Sequence, residues 1–547
     1  MLADAAPEDD PLTQDADAPP VRDAAVARWL LAEDERGNPS TGLRAFSAGN
    51  SVEPLVDGAA YFSRLCHELT STAEGDQVYL LDFRGDLEER LGGPGTEIGA
   101  LLADAADRGV LVFGLLWRSH PKAFQQSEEA NAAFVRHVCE HGGDVLLDAR
   151  TRRGGSHHQK LVVIRHPAAP ERDVAFIGGI DLGYSRRDDN DHTGDEQTMA
   201  FPEAYGDRPS WHDLQAEVRG PAVHDLEHTF RERWYGSTAL DIPSPVRQLY
   251  DRAYHASAMT GRPLPEPLPE DPTPRGTSIV QVLRTYPARL RRYPFAPQGE
   301  RSIAHSYRKA LRNARRLIYV EDQYLWSRDV AEVFAQALRA NPELHFVAVL
   351  PRFSDREGWA VAPTQLGRDD AVRMLRRAGG DRVHLFDVEN HEGEPVYVHA
   401  KAVIVDDVWA VIGSDNLNRR SWTHDSELSV AVLDEAADDR EPLTLGVDDV
   451  RRFARDLRLR LAAEHLDLDD PSIVVDPKQW LHELDTRAVA LRDWHAGGQV
   501  GPRPPGRLQP HVVAHVPRSK RWWAVPLYRL LFDPDGRAYR DRLRRRP

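Results

Sequence analysis

The chain has 547 residues, 41% hydrophobic and 29% charged, which is enough for three or four domain-sized units at ~150 residues each and excludes global disorder. A net charge of −16 excludes a protein that coats nucleic acid non-specifically, because such binding leans on surplus Lys and Arg. Two cysteines, Cys66 and Cys139, cannot build a disulfide framework.

Residues 1–20 carry six acids and no Lys or Arg, so they read as an acidic leader rather than a signal peptide. QVYLLDF (77–83) reads as a strand, Glu97–Arg108 as a helix, Val110–Trp117 as a buried strand, Asn131–His141 as a helix and Asp144–Asp148 as a strand. Residues 263–274, PLPEPLPEDPTP, hold six prolines and form a stiff linker or long surface loop. Beyond it the series repeats: strand 316–324, helix Asp329–Ala340, strand 344–351, helix Asp370–Ala378, strand 383–388. Apolar runs alternating with helices indicate βαβ units. The expected architecture is therefore α/β, with two duplicated α-β-α lobes, mixed and mostly parallel sheets, and one active site at their interface. The divisions are an N-terminal region 1–75, a first lobe 76–255, a linker 256–276, a second lobe 277–440, a helical region 441–500 and a basic aromatic tail 501–547. No apolar run approaches the ~18–20 residues of a membrane span, so the expected location is cytoplasmic, with peripheral membrane contact left open.

Each half then reaches the same triplet. His158-Gln159-Lys160 is followed by LVVI and FIGGID; His399-Ala400-Lys401 is followed by AVIVDD and VIGSDN. The chain uses six Lys against 64 Arg, so Lys at both points marks a need for a compact ammonium. In a strand, residues i and i+2 share a face, which pairs His158 with Lys160 and His399 with Lys401. Two such faces opposed surround a cavity that suits a phosphodiester. The lysines neutralise its non-bridging oxygens, one imidazole attacks phosphorus, and the other protonates the leaving alkoxide. Gly178-Gly179 and Gly413-Ser414, after each strand, are placed to let the backbone approach the phosphate.

The two motifs resemble those of the phospholipase D superfamily, with its paired HxKxxxxD signature. The second copy matches in full through His399, Lys401 and Asp406, then Gly413, Ser414, Asn416 and Arg420-Ser421. WHDLQAEVRGPAVHDLEHTFRERW (211–234), VQVLRTYP (280–287) and YVEDQYLW (319–326) are similar to blocks of eukaryote-type, phosphatidylcholine-hydrolysing members, over about residues 76–435.

The resemblance implies that His158 forms a covalent phosphohistidine and that His399 is the general acid, then the base that activates water. Lys160, Lys401, Asn416, Ser414, Gly178 and Gly179 would bind phosphate, and Asp406 would be structural. It also implies that Asp213 orients the first histidine and Glu427 the second. The activity implied is hydrolysis of a glycerophospholipid to phosphatidic acid and a head-group alcohol, with phosphatidyl transfer to competing alcohols. No cofactor or metal is called for. The partners expected are a phospholipid substrate and a membrane surface, met through 518–547, and no nucleic acid. One departure stands out: the first copy has Arg165 where the motif expects aspartate. The rival readings are a cardiolipin synthase-like phosphatidyltransferase, another phosphodiesterase or nuclease of the superfamily, and a catalytically silent lipid-binding scaffold motivated by Arg165.

Three other features carry weaker signals. DDNDHTGDE (188–196) is rich in oxygen ligands and reads as a solvated loop near the active-site mouth. His137 and His141 lie four apart on one helix face and read as surface or capping residues. The tail from Arg518 has ten Lys or Arg against three Asp, with Trp522-Trp523 and Leu530-Leu531-Phe532, a composition suited equally to an anionic membrane surface and to a segment packed on the catalytic body by its aromatics with a solvated basic end.

Overall fold

The computed structural model describes residues 21–119, 127–235, 261–270, 273–290, 292–441, 449–538 and 541–542. The acidic leader 1–20, residues 236–260, part of the linker and the last five residues of the basic tail lie outside the described residues.

The two lobes share one sheet. Its strands run in the order Leu508–Pro510, Val383–Val388, His345–Val349, Leu317–Asp322, Lys401–Val405, Trp409–Gly413, Glu427–Asp434, Ser278–Tyr286, Ser47–Val56, Leu214–Arg219, Val174–Gly178, Leu161–Arg165, Gln77–Asp82, Leu111–Trp117 and Asp144–Asp148. A sixteenth short strand, Glu300–Arg301, pairs with Ser278–Tyr286.

The α/β class holds, but the expected mostly parallel pairing does not. Parallel pairing in this sheet is confined to Gln77–Asp82, Leu111–Trp117 and Asp144–Asp148 in one lobe and to Leu317–Asp322, His345–Val349 and Val383–Val388 in the other. Helical crossovers such as Ile98–Asp107 and Glu128–Glu140 impose parallel order there. The other pairings are antiparallel, because each His-x-Lys strand returns as a hairpin and the inner strands join the lobes edge to edge. These strands are buried on both faces and read as continuous apolar runs, so composition alone suggested parallel order.

Alternate residues of each strand feed different cores. Val78 and Leu80 pack outward with Leu65, Leu102 and Phe134. Tyr79 and Leu81 pack inward with Phe230 in a core that continues into the second lobe through Tyr319, Ile404, Leu457 and Trp480. The predicted helix Asp370–Ala378 is the end of a longer one, Val361–Gly379. Pro363 sits in its first turn, where a missing N–H costs nothing.

The described part of the proline-rich stretch is a strap lying against the helix Ala222–Tyr235. Arg231 donates to the Pro265 carbonyl at 2.7 Å, Trp234 to the Arg262 carbonyl at 3.0 Å, and Arg165 to the Pro269 carbonyl at 2.8 Å.

Candidate active site

Both histidines stand where the lobes exchange short contacts. Trp211–His212 pairs in parallel with Tyr397–Val398, and the His399 N–H donates to the His212 carbonyl at 2.7 Å. His157 bridges to Ser426, and the His158 N–H donates to the Ser426 carbonyl at 2.9 Å. These contacts carry each carboxylate across the interface. His158 Nδ1 meets Glu427 Oε2 at 2.8 Å, and His399 Nδ1 meets Asp213 Oδ2 at 2.6 Å.

The pairing is thus the reverse of the sequence expectation. Asp213 serves the second histidine and Glu427 the first. The physical reason is register: residue 213 follows the ladder that ends beside His399, and residue 427 follows the bridge that ends beside His158. With Nδ1 of each ring held, Nε2 is left for chemistry.

Lys160 and Lys401 each turn back toward the carbonyl of their own histidine. Lys160 Nζ also lies 5.0 Å from the Phe83 ring centroid, a cation–π contact. Lys401 Nζ is 2.9 Å from His399 Nδ1. Behind them stand two carboxylates that the sequence reading missed, Asp82 and Asp322, at the ends of equivalent strands. Asp82 accepts from the Phe83, Arg84 and Leu182 amides, and Asp322 from the Tyr324, Leu325 and Leu417 amides. Their equal placement in the two halves, ahead of His158 and His399, was the signal available. Asp181, held by Arg186 at 2.9 Å, and Asp425, held by Arg420 at 2.7 Å, complete the charged lining. Arg186 stacks over Trp211 at 4.1 Å.

Three expected phosphate ligands have other structural work. Ser414 Oγ donates to Glu427 Oε2 at 2.6 Å. A Cβ at Gly179 would collide with the Asp213 carboxylate, and one at Gly178 with Gln215 and the Leu214 carbonyl. These positions are small to seat the carboxylate and the neighbouring strand. Asn416 is buried beside the motif and keeps its side-chain oxygen without a partner.

Asp406 occupies a left-handed turn, φ 55°, and accepts from the Arg315, Arg316 and Leu317 amides at 2.6–2.8 Å, stapling the hairpin to the strand Leu317–Asp322. In the first copy Arg165 does comparable work with opposite charge. It pairs with Asp173 at 2.7 Å and with Glu227, and it grips the strap. The next residue, His166, bonds Asp76 at the start of the strand Gln77–Asp82.

The two histidine pairs differ electrically. Burial and Lys401 push His399 down to about 3. Asp213 is held well below the ordinary carboxylate range by His399 and Lys401, against its burial. Burial and neighbouring Asp425 push Glu427 up to about 8, while burial and both lysines push His158 down. Lys401 is lowered to about 8 by burial, despite Asp213, and by Lys160. Each lysine acts on groups of the opposite motif, Lys401 on His158 and Lys160 on Glu427 and Lys401, so the two motifs adjoin.

The 188–196 loop is solvated on one side only. Asp189, Asn190, Asp191, Thr193 and Glu196 are exposed, while Asp188, His192 and Asp195 are shielded, and Asp188 accepts from the Trp211 amide at 2.7 Å. His141 bonds Asp107 at 2.8 Å near the helix end.

Two family models match the chain: Phospholipase D over residues 88–259, and Cardiolipin synthase, PLD-like domain, over residues 307–440. Phospholipase D alpha 1 of Vigna unguiculata is 25% identical, over 72% of this chain and 61% of that protein. Phospholipase D alpha 1 of Cynara cardunculus is 25% identical, over 77% of this chain and 65% of that protein. The chain thus spans about three-fifths of the length of the curated relatives it matches. Among solved structures, phosphatidylserine synthase of Haemophilus influenzae superposes with a TM-score of 0.47 at 12% identity, over 70% of this chain and 82% of that one.

Proposed function

We propose that this chain, which belongs to the phospholipase D superfamily, is a phosphodiesterase that cleaves the head-group ester of a glycerophospholipid through a covalent phosphohistidine. The observation that carries the reading is the pair of adjoining His-Lys motifs, each imidazole backed by a buried carboxylate from the opposite lobe. Lys160, Lys401 and Asn416 hold the phosphate oxygens. Nε2 of His158 attacks phosphorus as the bond to the head-group oxygen breaks, and the alkoxide takes a proton from the His399 imidazolium. The arriving phosphodiester anion favours that imidazolium, and ionised Asp213 stabilises it. Water, or another alcohol, then gives its proton to His399 and attacks the phosphohistidine, releasing phosphatidic acid or a phosphatidyl-alcohol and restoring His158.

The hydrogen bonds support this division of labour. Glu427 Oε2 accepts from both Ser414 and His158, while Oε1 has no partner. A proton on Oε1 keeps Nδ1–H on His158 and the lone pair on Nε2, the nucleophilic tautomer.

The tail supports a membrane-facing orientation. Its helix Arg518–Leu527 is fixed through Ala524 and the half-buried Trp523 against Leu366, yet Trp522 is 77%, Leu530 72% and Leu531 50% exposed. Arg420, beside the site, donates to the Leu531 carbonyl at 3.0 Å. Exposed aromatics with basic neighbours suit an anionic lipid surface. No helix among the described residues is long and apolar enough to cross a membrane.

A second reading, transfer of the phosphatidyl group to an alcohol as the main reaction, is favoured by the match of residues 307–440 to the cardiolipin synthase model. Phosphatidylcholine vesicles with a primary alcohol test both readings. Wild type is expected to form phosphatidyl-alcohol and phosphatidic acid, and His399→Ala neither. Transfer product without hydrolysis would select the second reading; no product from any phospholipid would overturn both.

A further inference from the structure

Next to His399, joined to it through the His212 carbonyl, lies a second cluster that the proposed chemistry does not use. Asp57, His192, His212 and Glu464 converge there, one ligand atom from each within 4.8 Å of the others. The His212 and His192 side chains are fully shielded from solvent. His212 Nδ1 stands 3.0 Å from Asp57 Oδ1 and 3.0 Å from Glu464 Oε1, yet it forms no hydrogen bond with either. Its other nitrogen donates to Glu321 Oε2 at 2.8 Å. His192 Nε2 lies 3.2 Å from the same Glu464 oxygen.

Three carboxylates draw positive charge to the His212 ring; a second proton on the ring supplies it, or a cation held between the groups does, with the neutral ring donating from Nε2 and turning its Nδ1 lone pair on that cation. A proton placed on Nδ1 instead points along neither contact. Something positive that lies between the groups, rather than along one N–H, fits both facts. Four ligands about a tetrahedral divalent ion with bonds of ~2.0–2.1 Å stand about 3.3 Å apart; three of the six separations here are 3.0, 3.0 and 3.2 Å, and all six lie within 4.8 Å. The Glu321 contact is the carboxylate–histidine–metal arrangement that fixes a ligating ring, and Glu321 is itself held by His465 at 2.7 Å. Asp57 and His192 both hold positive φ, 65° and 53°, a strain maintained only where surroundings over-determine it.

We propose that Asp57, His192, His212 and Glu464 form a structural site for a divalent ion of the zinc class. Two imidazole donors favour Zn2+ or Co2+ over Ca2+ or Mg2+, which prefer oxygen alone. The ion would join four distant segments: the end of the strand Ser47–Val56, the 188–196 loop, the Trp211–Asp213 segment and the helix Arg452–Leu466. Through residue 212 it would brace Asp213, and so the orientation of His399. The inference stands apart from the proposed reaction, and its test reads metal, not turnover.

The full chain, stripped by chelator, is titrated with Zn2+ and Co2+, and metal content is measured after dialysis. One equivalent of Zn2+ per chain is expected, with a raised melting temperature and, for Co2+, the visible bands of a low-coordinate nitrogen–oxygen site. Glu464→Gln is expected to weaken Zn2+ affinity on the order of a hundredfold and to lose the Co2+ bands. A His137→Ala/His141→Ala variant, which removes the surface pair, should bind as wild type does. Failure of wild type to bind one equivalent, preference for Ca2+ over Zn2+, or loss of binding in the His137/His141 variant would each overturn the site.

Discussion

The two halves carry the same motif and fasten it differently. In the second half, Asp406 staples the hairpin through three backbone amides and His399 leans on ionised Asp213. In the first half, Arg165 replaces the aspartate and reaches two carboxylates and a carbonyl, and His158 leans on Glu427, whose proton affinity is raised to about 8. The two halves place the same His and Lys alike while their supports differ. Supports need only satisfy buried polar groups, and either sign of charge can do so. Reacting groups must also meet a substrate. The difference that matters chemically is between Asp213, an anion able to hold an imidazolium, and Glu427, a carboxyl that keeps its proton and its imidazole neutral.

The largest effects should come from the imidazoles themselves. His158→Ala is expected to abolish covalent labelling and lower turnover on the order of 10⁴-fold or more. His399→Ala should lose lipid turnover to a similar degree, yet accumulate phosphoenzyme from a substrate whose leaving group needs no proton. Trapping by rapid acid quench and mass spectrometry distinguishes the two. Labelling in His158→Ala and none in His399→Ala would exchange the roles.

The carboxylates should then separate by charge. Asp213→Asn removes an anion and is expected to lower kcat by roughly 10³–10⁴-fold, as when the carboxylate of a catalytic triad is neutralised. Glu427→Gln replaces one neutral acceptor by another, and a loss within about tenfold is expected, ~1.4 kcal/mol of barrier. Steady-state kinetics of the two variants give the contrast directly. Equal losses would mean that Glu427 works as an anion and that the halves are electrically alike.

Arg165 tests the structural supports. Arg165→Ala takes one partner from buried Asp173 and Glu227, which keep the His166 amide and Arg231, so the cost should approach but not exceed the ~3–5 kcal/mol of a fully broken buried pair. The variant should melt markedly lower while the surviving folded fraction keeps its kcat. A lowered kcat in folded protein, measured with circular dichroism alongside, would place Arg165 in the site's function and revive the scaffold reading.

Much of this was legible in the sequence. The repeated strand–helix order and both His-x-Lys triplets fall where the residues put them, because apolar runs and motif spacing are local signals. Asp213 and Glu427 were found, but not their partners. The exchange depends on the Trp211–Tyr397 and His157–Ser426 contacts, which join residues far apart in sequence and leave no periodicity. The strand Ser47–Val56 was missed for a related reason. Pro54 and Gly49 break its pattern, and it becomes a strand by filling the gap between the lobes. The 188–196 loop is solvated where its acidic composition says, at Asp189–Asp191, Thr193 and Glu196; the burial of Asp188 and His192 depends on Trp211, His212 and Glu464, which arrive from the fold.

The smallest expected effect is also the one that reads the comparison without disabling the protein. Two groups near the phosphate change charge around pH 8. Lys401, lowered to about 8, loses its positive charge as pH rises through that value. Glu427, raised to about 8, gains a negative charge over the same range. Both changes oppose binding of an anion, so the fall of log kcat/KM with pH, which the low proton affinity of His399 already sets at lower pH, should steepen above about pH 8, by about one unit of slope for one ionisation and more for two. Glu427→Gln leaves only Lys401 to titrate there, so an added slope of about one unit should persist. Lys401→Arg keeps a cation to high pH, and any added slope that remains belongs to Glu427. A limb unchanged in slope and midpoint in both variants would assign it to neither group, and the electrical difference between the halves would then not govern binding. Survival of the limb in one variant alone would identify the half that sets the alkaline limit.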